Sequence, residues 1–82
     1  MDLEEDQIST DRDLDASNLS CPLPLLKAKQ ELNGMQSGEH LGVTCTDPGS
    51  VRDFEVFCKQ SGNLLVQGTE DSGRYYYLIR KK

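Results

Sequence analysis

Three cysteines hold the nucleophilic potential of this 82-residue chain, and only one stands where a thiol could react. Cys21 lies in "SNLSCPLPLLKAKQELNG", residues 17–34, between a short polar segment and a helix-like run, with Pro22 and Pro24 directly after it. A proline pushes the preceding residue out of the helical region and into an extended conformation, which suits a helix N-cap. Neither proline removes an internal hydrogen bond, because the first N–H groups of a helix have no partner within it. Cys21 is therefore expected at the N-cap, with the Leu23 N–H as the nearest donor able to reach its sulfur. Leu23 itself precedes Pro24, so the first turn is expected to be distorted. The positive end of the helix dipole favours an anion, and the thiol is expected to ionise more readily than usual. The plainer alternative is a cysteine that merely replaces serine as a cap.

Cys45 and Cys58 fall on apolar faces and read as small core hydrophobes. The three cysteines are odd in number, spaced by 24 and 13 residues, and form neither a disulfide framework nor a CxxC pair. The only histidine, His40, opens a strand after a Ser-Gly turn and reads as a solvated surface residue rather than the base of a hydrolase. Three cysteines and His40 match no accepted zinc spacing. The remaining chemistry is that of a thiol that accepts a group, carries it and gives it up.

That thiol needs a small scaffold. The chain is long enough for one domain and too short for two. Its net charge of −5 sits entirely in residues 1–13, which hold six acids and one base; the other 69 residues hold eight of each. Residues 1–12 are thus expected to be an acidic, disordered tail and residues 13–82 a single domain. A neutral body is a poor nucleic-acid binder. No apolar run approaches the roughly 20 residues of a membrane span, and the acidic N-terminus is unlike a secretory signal. A cytoplasmic protein with reduced thiols is expected.

The elements follow from periodicity. "RDLDA" reads as a short strand with Leu14 and Ala16 inward. A helix is expected from Pro22 to about Asn33, with Leu25, Ala28 and Leu32 on one face and Gly34 in the left-handed stop position. "HLGVTCT" alternates with Leu41, Val43 and Cys45 inward. Asp47 is expected to cap a second helix, with Pro48 first, Val51, Phe54 and Cys58 on the apolar face and Phe57 on its flank, ended by Ser61-Gly62. "NLLVQGT", a turn at "EDSG" and "RYYYLIR" complete a β-α-β-α-β-β order. Right-handed crossovers put both helices on one face of a four-stranded mixed sheet, giving an α/β (α+β) two-layer sandwich.

"LDASNLSCPLPLLKAK", "TDPGSVRDFEVFCKQSG" and the closing "YLIRK" together resemble the TusA/SirA-like sulfur-carrier family. The resemblance spans about residues 13–82 and implies the same sandwich fold. It also implies a persulfide carried on Cys21, loaded by a cysteine desulfurase or rhodanese-like donor and relayed to an acceptor protein. Transfer-RNA wobble-uridine thiolation and sulfur oxidation are destinations known in that family. No metal or organic cofactor, no direct nucleic-acid contact and a monomer are expected. Asn18 stands where the family has glycine, and asparagine is well able to adopt a positive φ. By position, Pro22, Leu23 and Pro24 belong to the CPxP motif, while Asp47, Arg52 and Lys29 are candidates for partner contacts. Two rivals stay open: a small thiosulfate or persulfide sulfurtransferase, and a non-catalytic interaction module using the open sheet face.

Overall fold

The computed structural model describes residues 10–82, and its elements follow the order expected from the alternation and helical spacing. They are β1 (Arg12–Ala16), α1 (Leu23–Asn33), β2 (His40–Cys45), α2 (Ser50–Ser61), β3 (Leu64–Asp71) and β4 (Arg74–Arg80). The sheet runs β1-β2-β4-β3, with β1 parallel to β2 and β4 antiparallel to both of its neighbours. Helix α1 packs on β1 and β2, α2 packs on β3 and β4, and the helices touch each other. The result is the two-layer sandwich with four strands and two helices. No helix among the described residues is long and apolar enough to cross a membrane.

Between the layers lies one core. The sheet supplies Ala16, Leu41, Val43, Cys45, Tyr77 and Ile79; α1 supplies Pro24, Ala28 and Leu32; α2 supplies Phe54 and Cys58. The Phe54 ring stacks on Tyr77 with centroids 4.6 Å apart, and the buried Tyr77 hydroxyl shares a 2.8 Å hydrogen bond with Ser50 Oγ. That bond satisfies the polar tip of an otherwise apolar ring in the core.

Several local expectations change. Val51 is exposed, because α2 begins at Ser50 and turns Ser50, Phe54 and Cys58 inward along the i, i+4, i+8 row. Gly34 is not left-handed; its φ is −94°, and its carbonyl accepts a hydrogen bond from the Arg12 guanidinium at 3.2 Å. Gly62 does take the left-handed conformation, at φ 86°, and ends α2 by donating to the Cys58 carbonyl. Strand β3 runs two residues further than expected, so the hairpin closes on Ser72-Gly73, both at positive φ, as a tight two-residue turn requires.

Most of the expected acidic tail, residues 1–9, lies outside the described residues. Thr10 to Arg12 belong to the fold. The Asp11 N–H donates to the His40 carbonyl at 2.8 Å, and Arg12 ties β1 to the end of α1 through Glu31 at 3.0 Å. Strands β1, β2 and β3 begin, and β4 ends, at this one pole. The loops after β1 and β2 meet at the other, and they carry Cys21 and Asp47.

Candidate functional site

The β1–α1 loop is pinned before it reaches the thiol. The Ser17 N–H donates to Asp15 Oδ1 at 3.0 Å, and the Asn18 N–H donates to Thr46 Oγ1 at 2.8 Å. Asn18 has φ 66°, the left-handed conformation that its short polar side chain tolerates. The loop then passes over the start of α2, where a side chain at Gly49 would sit 3.4 Å from Cys21 Cβ and 3.7 Å from its sulfur.

Cys21 is exposed, whereas Cys45 and Cys58 are buried in the core. It does not occupy the N-cap of α1. Pro22 does, and Cys21 lies one residue further out. The Leu23 N–H is not directed at the sulfur either; it donates to the Ser20 carbonyl at 2.8 Å and closes the turn that leads into the helix. Pro24, in the first turn, is fully buried, while Pro22 and Leu23 are exposed beside the thiol.

Asp47 holds this turn from the neighbouring loop. Its Oδ2 accepts the Cys21 backbone N–H at 2.5 Å, and its Oδ1 accepts the Gly49 N–H at 3.4 Å. It is not the cap of α2, which starts at Ser50 with Gly49 in the cap position and no side-chain cap bond. A single carboxylate therefore joins the loops that follow two parallel strands. Replacing Asp47 with alanine is expected to lower stability by about 1.5–3 kcal/mol, the range for a hydrogen bond to a charged group. Thermal melts of the two proteins test this, and identical midpoints would show that the loops hold without it.

The side chain bonded to the sulfur is one that local spacing in the sequence does not select. Asp53 Oδ2 accepts the Cys21 S–H at 2.6 Å. It was detectable in part: Asp53 lies one helical turn after Gly49, so once the cysteine loop crosses Gly49, Asp53 faces the same way. With Asp53 bonded to it and Asp47 nearby, the Cys21 thiol is pushed above its ordinary value of 9.0. The cause is chiefly the Asp53 hydrogen bond, then partial desolvation, then the charges of the two carboxylates. The expectation of a readily ionised thiol is thus overturned. The partial charge of a helix end, one residue removed, is weaker than a full negative charge in contact.

Lys29 and Arg52 come together across the two helices. Both line a shallow groove of about 220 Å³, which Leu25, Val56 and Phe57 floor with apolar surface and which Asp53 closes at its site end. The Lys29 ammonium lies 5.5 Å from the centre of the Phe57 ring. Among the described residues, no three His, Cys, Asp or Glu side chains converge in a way that could hold a metal ion.

A family described as "Sulfurtransferase TusA" matches residues 12–81. The chain is 55% identical over 71 residues to "Sulfur carrier protein TusA" of Allochromatium vinosum, covering 87% of this chain and 93% of the relative. It is 42% identical over 69 residues to the protein of that name in Pseudomonas putida, covering 84% and 86% respectively. A relative from Aquifex aeolicus is 40% identical over 93% of this chain, which spans only 39% of that protein. Among solved structures, a SirA-like protein of Desulfitobacterium hafniense superposes with a TM-score of 0.73 over 84% of this chain and 95% of its own. At 21% identity, that likeness bears on the fold alone. By its near-complete family match and its close relatives, the chain belongs to the TusA sulfurtransferase family.

Proposed function

We propose that this sulfur carrier holds its cargo as a persulfide on Cys21 and passes it between proteins. The observation that carries the assignment is the contrast among the three thiols. Cys21 is exposed on a loop held by Asp47 and Asn18, whereas Cys45 and Cys58 are buried and pushed up to about 11 by desolvation. Only Cys21 can meet another protein's sulfur.

The exchange is a sulfur transfer without net oxidation. Cys21 attacks the outer sulfur of a donor persulfide, becomes Cys21–S–SH, and later yields that sulfur to an acceptor thiol. The donor is a cysteine desulfurase or a rhodanese-like protein, and the acceptor is a further relay protein. Exposed Pro22 and Leu23, beside the thiol, and the Lys29–Arg52 groove form the surface on which both dock in turn. Apolar contact there supplies adhesion, and the two cations select acidic partner surfaces. The carrier works as a cytoplasmic monomer without metal or organic cofactor.

Incubation with a cysteine desulfurase and cysteine, followed by intact mass measurement, is expected to show a gain of one sulfur. Cys21→Ser is expected to gain none. Equal loading of the Cys21→Ser protein would remove the assignment, and loading by thiosulfate alone would favour a small-molecule sulfurtransferase.

A further inference from the structure

The contact between Cys21 and Asp53 supports a step that the carrier role alone does not specify. We propose that Asp53 is a catalytic residue of the sulfur transfer, taking the Cys21 proton during attack and returning it to the departing thiolate. The inference rests on the reading of Cys21 as the cargo site.

The geometry comes first. Asp53 Oδ2 lies 2.6 Å from the sulfur and is the acceptor of its proton. It stands on the first turn of α2, anchored by the adjacent Phe54, which is fully buried against Tyr77. Asp47, the other carboxylate nearby, is engaged with the Cys21 backbone N–H. The two acids therefore divide the work: one holds the main chain and the other faces the reacting atom. His40, the only histidine, opens β2 at the opposite pole. Among the described residues, Asp53 is thus the base within hydrogen-bond reach of the nucleophile.

The step balances on these groups. As Cys21 attacks the terminal sulfur of a donor persulfide, its proton moves to Asp53 Oδ2. The new bond forms between Cys21 Sγ and that terminal sulfur, and the donor's own S–S bond breaks. The donor's inner sulfur leaves with the electron pair, takes the proton from Asp53 and departs as a thiol. The terminal sulfur keeps its hydrogen throughout, so the products are Cys21–S–SH and a donor thiol. Nothing is oxidised or reduced overall, and no proton passes to solvent. The last point matters where two proteins have closed over the site and water is excluded.

The same carboxylate has the opposite effect in open water. There it stabilises the protonated thiol and suppresses attack on small electrophiles, which react only with thiolate. Asp53 thereby makes Cys21 quiet when free and competent when docked. The two effects have opposite signs in one variant, so they can be separated.

The test uses Asp53→Asn, which keeps the side-chain shape, with a melting curve to confirm folding. Alkylation by iodoacetamide across a pH series is expected to be faster than wild type at neutral pH, with its midpoint moved down. Sulfur loading from a cysteine desulfurase with cysteine, or from glutathione persulfide, is expected to be slower, by about a hundredfold for the docked donor. Faster alkylation together with faster loading would make Asp53 a suppressor only and overturn the proposal. An unmoved alkylation midpoint would overturn it too, by showing that the contact has no effect in solution. If wild type itself takes no sulfur from either donor, the cargo assignment to Cys21 falls, and the catalytic step falls with it.

Discussion

Replacing Phe54 with alanine is expected to lower stability by about 3–5 kcal/mol, a large part of what a domain this size possesses. The ring is completely buried, stacks on Tyr77 at 4.6 Å and fills the space between α2 and the sheet. Truncation would remove that burial and leave a cavity, and the Ser50–Tyr77 hydrogen bond beside it would lose its packing. Each kcal/mol moves the melting midpoint of a small domain by about 4–8 °C, so the variant should melt at least about 12 °C lower. Phe54→Leu should recover much of the loss. A midpoint drop of only a few degrees for the alanine variant would mean that the core is not centred on this ring. Because Phe54 sits next to Asp53, the variant should also loosen the carboxylate facing Cys21, and its alkylation rate should drift upward before global melting.

Alkaline pH is expected to unfold the protein through its buried thiols. Burial pushes Cys45 and Cys58 from 9.0 up to about 11, with Ser50 opposing the shift slightly at Cys45. A folded-state value above the unfolded one means that the native protein holds these protons more tightly than the unfolded chain. Their contribution is therefore fully present below pH 9 and is lost as pH rises from 9.0 towards 11. Each of the two thiols adds to that fall. Tyr77, raised above 10.0 mainly by burial, acts in the same direction at the upper end of the window. Urea midpoints measured through this range should drop steeply, and a flat profile would contradict the burial of both thiols. Cys21, raised above 9.0 chiefly by its hydrogen bond to Asp53, acts in the same direction.

Legibility in the sequence followed the range of the interactions involved. The strands and helices were readable because one buried sheet face and one buried helix face each impose a period, and Leu41, Val43, Cys45, Ala28 and Leu32 obey it. Asn18 was readable because left-handed backbone selects few residue types, and its φ of 66° agrees. The ends of α2 were harder. Asp47-Pro48 has the composition of a helix start, yet the carboxylate is drawn to the Cys21 N–H of another loop, and the helix begins at Ser50. Tertiary competition of this kind leaves no mark on local spacing. The same holds for Asp53, which is 32 residues from Cys21 and meets it only because two parallel strands end side by side. The upward push on the thiol is hidden for that reason: the helix dipole is local and visible, while the two carboxylates are distant in sequence.

The arrangement of the poles has one more outcome. Thr10 packs over Gly42 and Lys82 over Gly62, both at the end of the sheet away from Cys21. A polypeptide appended before the first strand or after the last would leave from the rear, and the thiol would still face outward. Such a module can be built into a larger protein without redesign. The Aquifex aeolicus relative, of which this chain spans 39%, has the length such a fusion would give. Tethering there would replace diffusion to one partner by a high local concentration of it, while leaving the thiol end free for the other.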